Sequence, residues 1–331
     1  MFTAVNYHYL RDNFEYAYPS IFGATPTQFE RQLRRLAQLG NYVSQAQLRD
    51  AITRRGKLAP NSLLVTFDDG LKEQFALAYP ILKRLGIPFV CFVNARTLVE
   101  DVVMNVHKIH MVRSVVSPEE IQAKLEQFTH AHGIYVDVQE AREKGTVHYK
   151  YDTPVVGQLK YSLNFMLTSE QQDALIDYLF ANVFEGQEKA IHDKLYFDHQ
   201  ELTELARAGY IGSHGYDHKP LGMLPATEQD TMVGLSKEVI EHIAQVPIYG
   251  FSYPYGSKEA SAGMANHLER HGYTYSFTME RAINKDLTSP FYLSRFDNND
   301  MPLGKNYKFD SDEYFEHLPR SSWFEDLVAP S

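Results

Sequence analysis

Two adjacent carboxylates, Asp68 and Asp69, follow a largely apolar run at residues 63–67 and precede Gly70. A short run that is apolar on both faces predicts a buried parallel strand, which places both carboxylates at its end. Two unpaired carboxylates would repel each other there, and a desolvated one would hold its proton, unless a cation lies between them. A solvated turn in which one Asp caps the next helix is the alternative. The pair alone does not decide between a site and a cap.

His214 and His218 lie four residues apart, directly after a short predicted strand at residues 210–212. This spacing places both imidazoles on one side of a turn, as in many metal-binding pairs. Because the chain contains 14 His, a chance pair with a surface or packing role is the alternative. The C-terminal ends of parallel strands share one face of a sheet, so the Asp pair and the His pair are expected to converge. One Asp and two His form a zinc-type ligand set that leaves a position for water.

A third group of residues that could contribute to a reaction is the segment 251–256, Phe-Ser-Tyr-Pro-Tyr-Gly, at the end of another predicted strand. Because proline restricts the backbone, this turn could present backbone N–H groups and an aromatic wall to a substrate. Pro254 and Tyr255 are therefore candidate substrate-binding residues.

The elements that must position these residues alternate short apolar strands with longer helices. Strands are predicted at residues 3–9, 63–67, 87–93, 210–212, 248–253 and 273–278, and helices at 25–39, 44–54, 71–85, 198–208, 227–245 and 259–271. Such β–α–β succession requires right-handed crossovers between parallel strands. The rhythm is lost at about 97–195, where helices at 118–130 and 169–184 flank a tyrosine-rich polar interval. We predict a single α/β domain over residues 1–331, with a large, mostly helical insertion at 97–195 that caps the site.

Composition excludes several classes of function. The chain has 331 residues, 44% of them hydrophobic, and a net charge of −10 without a dense basic tract, so no nucleic-acid partner is expected. Its single cysteine, Cys91, lies in an apolar run and is expected to be buried. The N-terminus lacks the pattern of a signal peptide, and no window approaches a membrane span. We therefore expect a cytoplasmic protein without a membrane span, whose oligomeric state the sequence does not indicate.

Together, these motifs resemble the polysaccharide deacetylases with the NodB homology domain, carbohydrate esterase family 4. The resemblance covers about residues 1–95 and 196–296 and implies a distorted (β/α) barrel of parallel strands. In that family the first Asp of Thr-Phe-Asp-Asp-Gly is the general base and the second is a metal ligand, which implies these roles for Asp68 and Asp69. The family's His-x-x-x-His motif supplies the two remaining ligands and corresponds to His214 and His218.

Other positions depart from the family pattern. The third family motif is usually Arg-x-Pro-Tyr, and Ser252 stands where its Arg is expected, although Tyr255 keeps the position whose backbone N–H helps to bind the oxyanion. We predict that Arg295, which follows another late strand, orients the base instead. The family's late Leu-x-His-Asp motif, the source of its general acid, is not recognisable, so the acid is unassigned. His8 could approach the site and bind substrate, or it could be a hydrogen-bonded structural residue.

The resemblance implies a metal-dependent hydrolase that removes an N-acyl group, most simply N-acetyl, from a sugar or glycan precursor. One divalent ion is expected, with Zn²⁺ as the default and Ni²⁺, Co²⁺ or Fe²⁺ fitting the same ligands. Because no secretion signal is recognised, an intracellular precursor of a surface polysaccharide is the favoured substrate. Two alternatives stay open: a related amidase acting on a formamide, imide or ureido group, and a catalytically silent glycan-binding module.

Overall fold

The structure, a computed structural model, describes residues 1–54, 56–149, 152–307, 317–323 and 325. The chain divides into two compact units. The first, called the barrel unit here, consists of Met1–Asp12, Gly23–Val102 and His192–Ser331, and the second, the helical unit, consists of Asn13–Phe22 and Val103–Ile191. The helical unit contains most of the residues that were predicted to form the insertion.

The barrel unit is built on one sheet in which all the paired strands are parallel. Its strands are β1 (Phe2–Tyr7), β2 (Asn41–Tyr42), β3 (Ser62–Phe67), β4 (Phe89–Val93), β5 (Ile211–Ser213), β6 (Gly250–Ser252), β7 (Tyr275–Phe277) and β8 (Arg295–Asp297). The spatial order is β7-β6-β5-β4-β3-β1-β8, and β2 pairs with β3. Leu293, just before β8, forms a parallel bridge with Phe277 of β7, so the sheet nearly closes on itself. The predicted barrel of parallel strands is confirmed.

The helices, numbered in chain order, are α1 (Pro26–Leu36), α2 (Gln45–Thr53), α3 (Tyr79–Leu85), α4 (Asn105–Val115), α5 (Pro118–Ala131), α6 (Val138–His148), α7 (Pro154–Tyr161), α8 (Ser169–Val183), α9 (Glu188–Leu195), α10 (His199–Arg207), α11 (Ala226–Ala244), α12 (Lys258–Ser261) and α13 (Ala265–Arg270). Local sequence signals explain their starts: Thr25, for example, forms a capping box with Gln28 at the start of α1. Within the described ranges, none of the helices is both long and apolar enough to cross a lipid bilayer.

Three local predictions need correction. The helix expected at 259–271 is split into α12 and α13, because Gly263 between them adopts a left-handed φ of 74° that a helix cannot contain. The helix expected after Gly70 contains a π-helical turn, Gln74–Ala78, before α3. The polar interval inside 97–195 contains α6 and α7, which approach each other at Gly145 and Gly157, where added Cβ atoms would clash. Packing through glycine leaves no continuous apolar stripe, so hydrophobic spacing does not reveal these helices.

The core of the barrel unit includes both apolar and polar side chains. The strands β3 and β4 are buried along their whole length, as their apolar runs predict, and Cys91 in β4 is fully buried. Arg295 is also fully buried, although it carries a charge that must be compensated. Its partners lie at the C-terminal ends of the strands, where the candidate site is found.

Candidate active site

The C-terminal ends of parallel strands bring the predicted site residues together. Asp68 and Asp69 directly follow β3, and His214 directly follows β5. His8 lies one residue beyond the end of β1, and Tyr255 lies in the turn after β6. Because these strands run in the same direction in one sheet, their ends meet at one face of the barrel.

Asp69, His214 and His218 form a compact group of possible ligands. Asp69 Oδ1 lies 3.6 Å from His214 Nε2 and 3.5 Å from His218 Nε2. Ligand atoms about 2.1 Å from a tetrahedral ion are about 3.4 Å apart, so these separations match the geometry of a shared divalent ion. His214 Nδ1 donates a hydrogen bond to the Ser252 carbonyl at 2.8 Å, which leaves the lone pair of its Nε2 directed at the ligand group. The donors therefore fit a divalent metal ion.

The backbone at this group is strained. Asp69, His218 and Tyr255 have left-handed φ values of 79°, 58° and 61°, a region that non-glycine residues seldom adopt. Such conformations cost about 1–3 kcal/mol each and occur preferentially at functional sites, where the surrounding structure holds them. The strain is consistent with a site whose side chains are aimed at one point.

Asp68 is held by charged and polar donors. Arg295 Nη1 donates to Asp68 Oδ1 at 2.9 Å, and Arg295 Nη2 donates to Oδ2 at 2.5 Å. The Asn6 side-chain amide donates to the same Oδ2 at 3.0 Å. Burial raises the pKa of Asp68, but the Arg295 cation, together with His214 and His8, outweighs burial and lowers this pKa to about 2. Asp68 is therefore ionised at neutral pH and can accept a proton.

The guanidinium of Arg295 also contacts the position where the family motif has its arginine. Arg295 Nη2 donates to the Ser252 hydroxyl at 2.7 Å, and Arg295 Nε donates to the Thr278 carbonyl at 3.1 Å. Arg295 was predicted to follow a strand, whereas it is the first residue of β8, and its long side chain spans the distance to Asp68. The structure thus places a guanidinium beside Asp68 without an arginine at position 252.

The remaining predicted residues lie around this pair and the ligand group. His8 Nε2 is 3.8 Å from Asp68 Oδ2, and its side chain is about one-third exposed. The Tyr255 ring centroid lies 5.0 Å from that of His218, and this side chain is 55% exposed. Pro254 is buried beside Gly215. The structure brings all of them to one face, and the roles of Pro254, Tyr255 and His8 stay predictions.

Sequence reasoning missed Asn6 and Ser252 as partners of the site. Asn6 is fully buried in β1, and an amide side chain inside a largely apolar strand was an available signal. Ser252 was noted as a missing Arg, yet its hydroxyl and its carbonyl accept hydrogen bonds from Arg295 and His214. The contacts of Ser252 with His214 and Arg295 cannot be read from sequence spacing, because the partners are more than 35 residues apart.

A second group of possible ligands, Asp101, His192 and Asp193, lies elsewhere in the barrel unit. His192 Nε2 is 2.7 Å from the Thr97 carbonyl, and its Nδ1 is 3.1 Å from Asp193. Because both ring nitrogens are engaged and the two carboxylates are exposed, we assign no metal to this group.

Comparisons with known proteins agree with this geometry. A family model described as polysaccharide deacetylase matches residues 165–276, which include His214, His218 and Tyr255. No curated protein matches the chain. Solved structures with the same fold include a de-N-acetylase from Aggregatibacter actinomycetemcomitans, with 14% identity, a TM-score of 0.55 and coverage of 95% of this chain and 99% of that one.

Two further structures share the fold. IcaB from Ammonifex degensii has 17% identity and a TM-score of 0.53, with 89% of this chain and 90% of that chain covered. The Streptococcus pyogenes deacetylase PplD, solved in complex with acetate, has 13% identity and a TM-score of 0.50, with 89% and 91% covered. The family match over residues 165–276 and the shared fold confirm the resemblance that the motifs indicate, a resemblance to the polysaccharide deacetylases.

Proposed function

We propose that this protein is a metal-dependent hydrolase that removes an N-acetyl group from a sugar. Family and fold support the coarser activity, polysaccharide deacetylation. The observation that carries the metal-dependent mechanism is the close placement of two groups: three possible metal ligands and an ionised Asp68 that lies 4.0 Å from His214 Nε2.

Asp69, His214 and His218 would hold the ion through one carboxylate oxygen and two imidazole nitrogens. A divalent ion bound there would polarise the acyl carbonyl and raise the acidity of the attacking water. That acidity matters because Asp68, with a pKa of about 2, is a weak base. Arg295 and Asn6 fix the Asp68 carboxylate, so that its orientation does not have to be established during the reaction.

The remaining steps concern the two products, acetate and a free amine. The backbone N–H of Tyr255 is proposed to stabilise the oxyanion of the tetrahedral intermediate. We propose His8 as the general acid that gives a proton to the leaving amine nitrogen. Its imidazole supports this role because Nε2 lies 3.8 Å from Asp68 Oδ2, so that both side chains could contact the same acyl group, and because about one-third of the side chain is exposed.

The finer identity of the substrate also belongs to this proposal. PplD was solved with acetate, and the Aggregatibacter protein is described as a de-N-acetylase, which favours N-acetyl as the acyl group. An intracellular precursor of a surface polysaccharide, a cytoplasmic location and zinc as the ion are retained from the sequence as proposals. Acetate release from N-acetylated nucleotide sugars, compared with release from N-acetylated oligosaccharides, tests the precursor role directly.

The central experiment combines elemental analysis with an acetate assay on matched variants. Asp69→Ala should lose both the bound metal and turnover, because it removes a ligand. Asp68→Asn should keep the metal and lose turnover, since the amide cannot accept the proton. Asp50 lies on α2 and its side chain is half exposed, so the control variant Asp50→Asn should keep both the bound metal and turnover.

Retained turnover in purified Asp68→Asn protein would refute the assignment of the base. Absence of metal from the wild type, together with inactivity after metal addition, would favour the silent glycan-binding alternative. Formate release without acetate release would favour the alternative amidase.

A further inference from the structure

Gln74 is a buried side chain beside the candidate site, with 1% of its surface exposed. It is the first residue of the π-helical turn Gln74–Ala78. Its amide nitrogen donates to the Asp68 carbonyl at 2.6 Å and to the His8 carbonyl at 3.0 Å. Its amide oxygen accepts from the Leu71 N–H at 3.2 Å. One side chain therefore joins the backbones of two residues that are proposed to carry protons.

The hydrogen bonds of Gln74 lie just beyond the point where the pairing of β1 and β3 ends. The register of β1 and β3 ends with the pair Tyr7 and Phe67, and the last bond beyond it joins the Asp68 N–H to the Tyr7 carbonyl at 3.2 Å. Past that point residues 69 and 70 form a turn and residues 8 and 9 have no regular structure, so the parallel ladder does not fix the separation of the two segments. The two N–H groups of Gln74 connect the carbonyls that follow, in place of ladder bonds.

The neighbouring Glu73 strengthens the same connection. Its carboxylate accepts from the Leu10 backbone N–H at 2.7 Å and from Arg11 Nε at 2.7 Å. Both partners lie in the segment that follows His8, and the Glu73 side chain is only 16% exposed. Charge-assisted bonds of this kind are stronger than neutral ones. Glu73 and Gln74 thus tie the turn after β3 to the segment after β1.

We propose that Gln74 is a positioning residue that sets the spacing between Asp68 and His8 for proton transfer. The proposal rests on the proposed function, in which Asp68 accepts a proton and His8 donates one. Side chains that transfer protons must be held within about 0.5 Å of the productive geometry, which calls for such support. Gln74 achieves this through backbone carbonyls, so both side chains keep their own contacts.

The test is the Gln74→Met variant, which keeps the length of the side chain and lacks the two donors. Gln32→Met is the matched control, because Gln32 is also buried, donates to the carbonyls of Asn298 and Pro302, and accepts from the Tyr7 hydroxyl. Two acetyl substrates are compared for each protein. An acetanilide releases an amine that needs a proton, whereas 4-nitrophenyl acetate releases a phenolate that does not.

We expect Gln74→Met to lower kcat for the acetanilide by on the order of 10²-fold, with a much smaller loss for the ester and little change in KM. Metal content should stay that of the wild type, because Gln74 donates no bond to the three ligands. Gln32→Met should leave the ratio of the two activities unchanged. Gln74→Glu, which keeps the acceptor for Leu71 but not the donors, should repeat the selective loss if Gln74→Met fails to fold.

Equal losses on both substrates, or the same change of ratio in Gln32→Met, would overturn the proposal and leave Gln74 a structural residue. A crystal structure of Gln74→Met measures the spacing without any substrate. The separation of His8 Nε2 and Asp68 Oδ2 should differ from 3.8 Å in the variant, and an unchanged separation would contradict the proposal. If the wild type hydrolyses neither compound, the two activities are compared on the N-acetylated sugar and its O-acetylated counterpart. Inactivity of the wild type on N-acetylated sugars as well would refute the proposed function, whereas the separation of His8 and Asp68 in the variant tests the role of Gln74 independently.

Discussion

Arg295→Met would leave the Asp68 carboxylate buried without the guanidinium that binds both of its oxygens. Methionine approximates the length of the aliphatic part of arginine, so the loss of packing is small and the loss of charge dominates. Removing one partner of a buried ion pair costs about 3–5 kcal/mol, because the other charge stays desolvated. The Asn6 amide compensates only part of this cost, since a neutral donor binds a carboxylate more weakly than a cation does.

The loss of unfolding free energy in Arg295→Met should depend on pH, because Asp68 titrates differently in the two proteins. In the wild type the pKa of Asp68 is about 2 in the folded protein, against an ordinary value of 3.8. At about 1.4 kcal/mol per pH unit, this difference contributes about 2 kcal/mol of stability. That contribution is complete above pH 3.8 and is lost as the pH falls towards 2. In Arg295→Met, burial should dominate and raise the pKa of Asp68, so acidification should relieve the buried charge.

The assay is urea denaturation of metal-free protein between about pH 7 and about pH 4, where the wild-type contribution of Asp68 is constant. The difference in free energy of unfolding between wild type and Arg295→Met should be several kcal/mol at neutral pH and should shrink as the pH falls. Arg84→Met is the control, because Arg84 binds Glu30 with the same two-bond geometry but at an exposed position, where solvent screens the pair. A loss in Arg295→Met no larger than that in Arg84→Met, or a difference independent of pH, would refute this account of the buried pair.

Two further predictions concern the C-terminal segment and the metal. The buried Glu280 carboxylate accepts hydrogen bonds from the Ser294 hydroxyl and from the backbone N–H groups of Ser322 and Trp323. Glu280→Gln should therefore lower the free energy of unfolding by about 1–3 kcal/mol. It should also speed tryptic cleavage after Arg320, because the C-terminal segment is held less firmly. Equal cleavage rates in wild type and variant would contradict this. Chelation should lower the Tm of the wild type but not of Asp69→Ala, since ion present at about 1,000 times its Kd adds about 4 kcal/mol. A Tm that chelator leaves unchanged in the wild type would argue against a bound ion.

The fold could be predicted largely because its strands are buried on both faces. The apolar runs at 63–67 and 87–93 correspond to β3 and β4, within a few residues at their ends. The polar residues at the strand ends then located one face of the barrel. Short strands such as β7 gave weaker signals, because three residues are too few to establish a period. The helices α6 and α7 gave none, since their contact is made through glycine.

For the site, the sequence predicted which strand ends converge, but not which side chains contact one another there. The spacing of His214 and His218 is local, so sequence reveals it directly. The contacts of Asp68 with Asn6 and Arg295 join residues 62 and 227 positions away, and they depend on the direction of each side chain across a nearly closed sheet. A one-residue shift of register would turn Asn6 to the other face of β1. Such contacts follow from three-dimensional packing and have no signature in residue spacing.

Ser252 occupies the position of the motif arginine, and Arg295 reaches the same place from another strand. Loss of the motif arginine alone would suggest an unsupported base, yet the Arg295 guanidinium binds both Asp68 oxygens and also donates to the Ser252 hydroxyl. The guanidinium head therefore lies next to the position from which the family arginine would extend. Ser252 and Arg295 are both fully buried, so an arginine at 252 beside Arg295 would bring two desolvated cations to one carboxylate. The small Ser252 side chain thus leaves room for the Arg295 guanidinium. In this barrel the positive charge beside the base comes from a strand other than the one that carries the motif position.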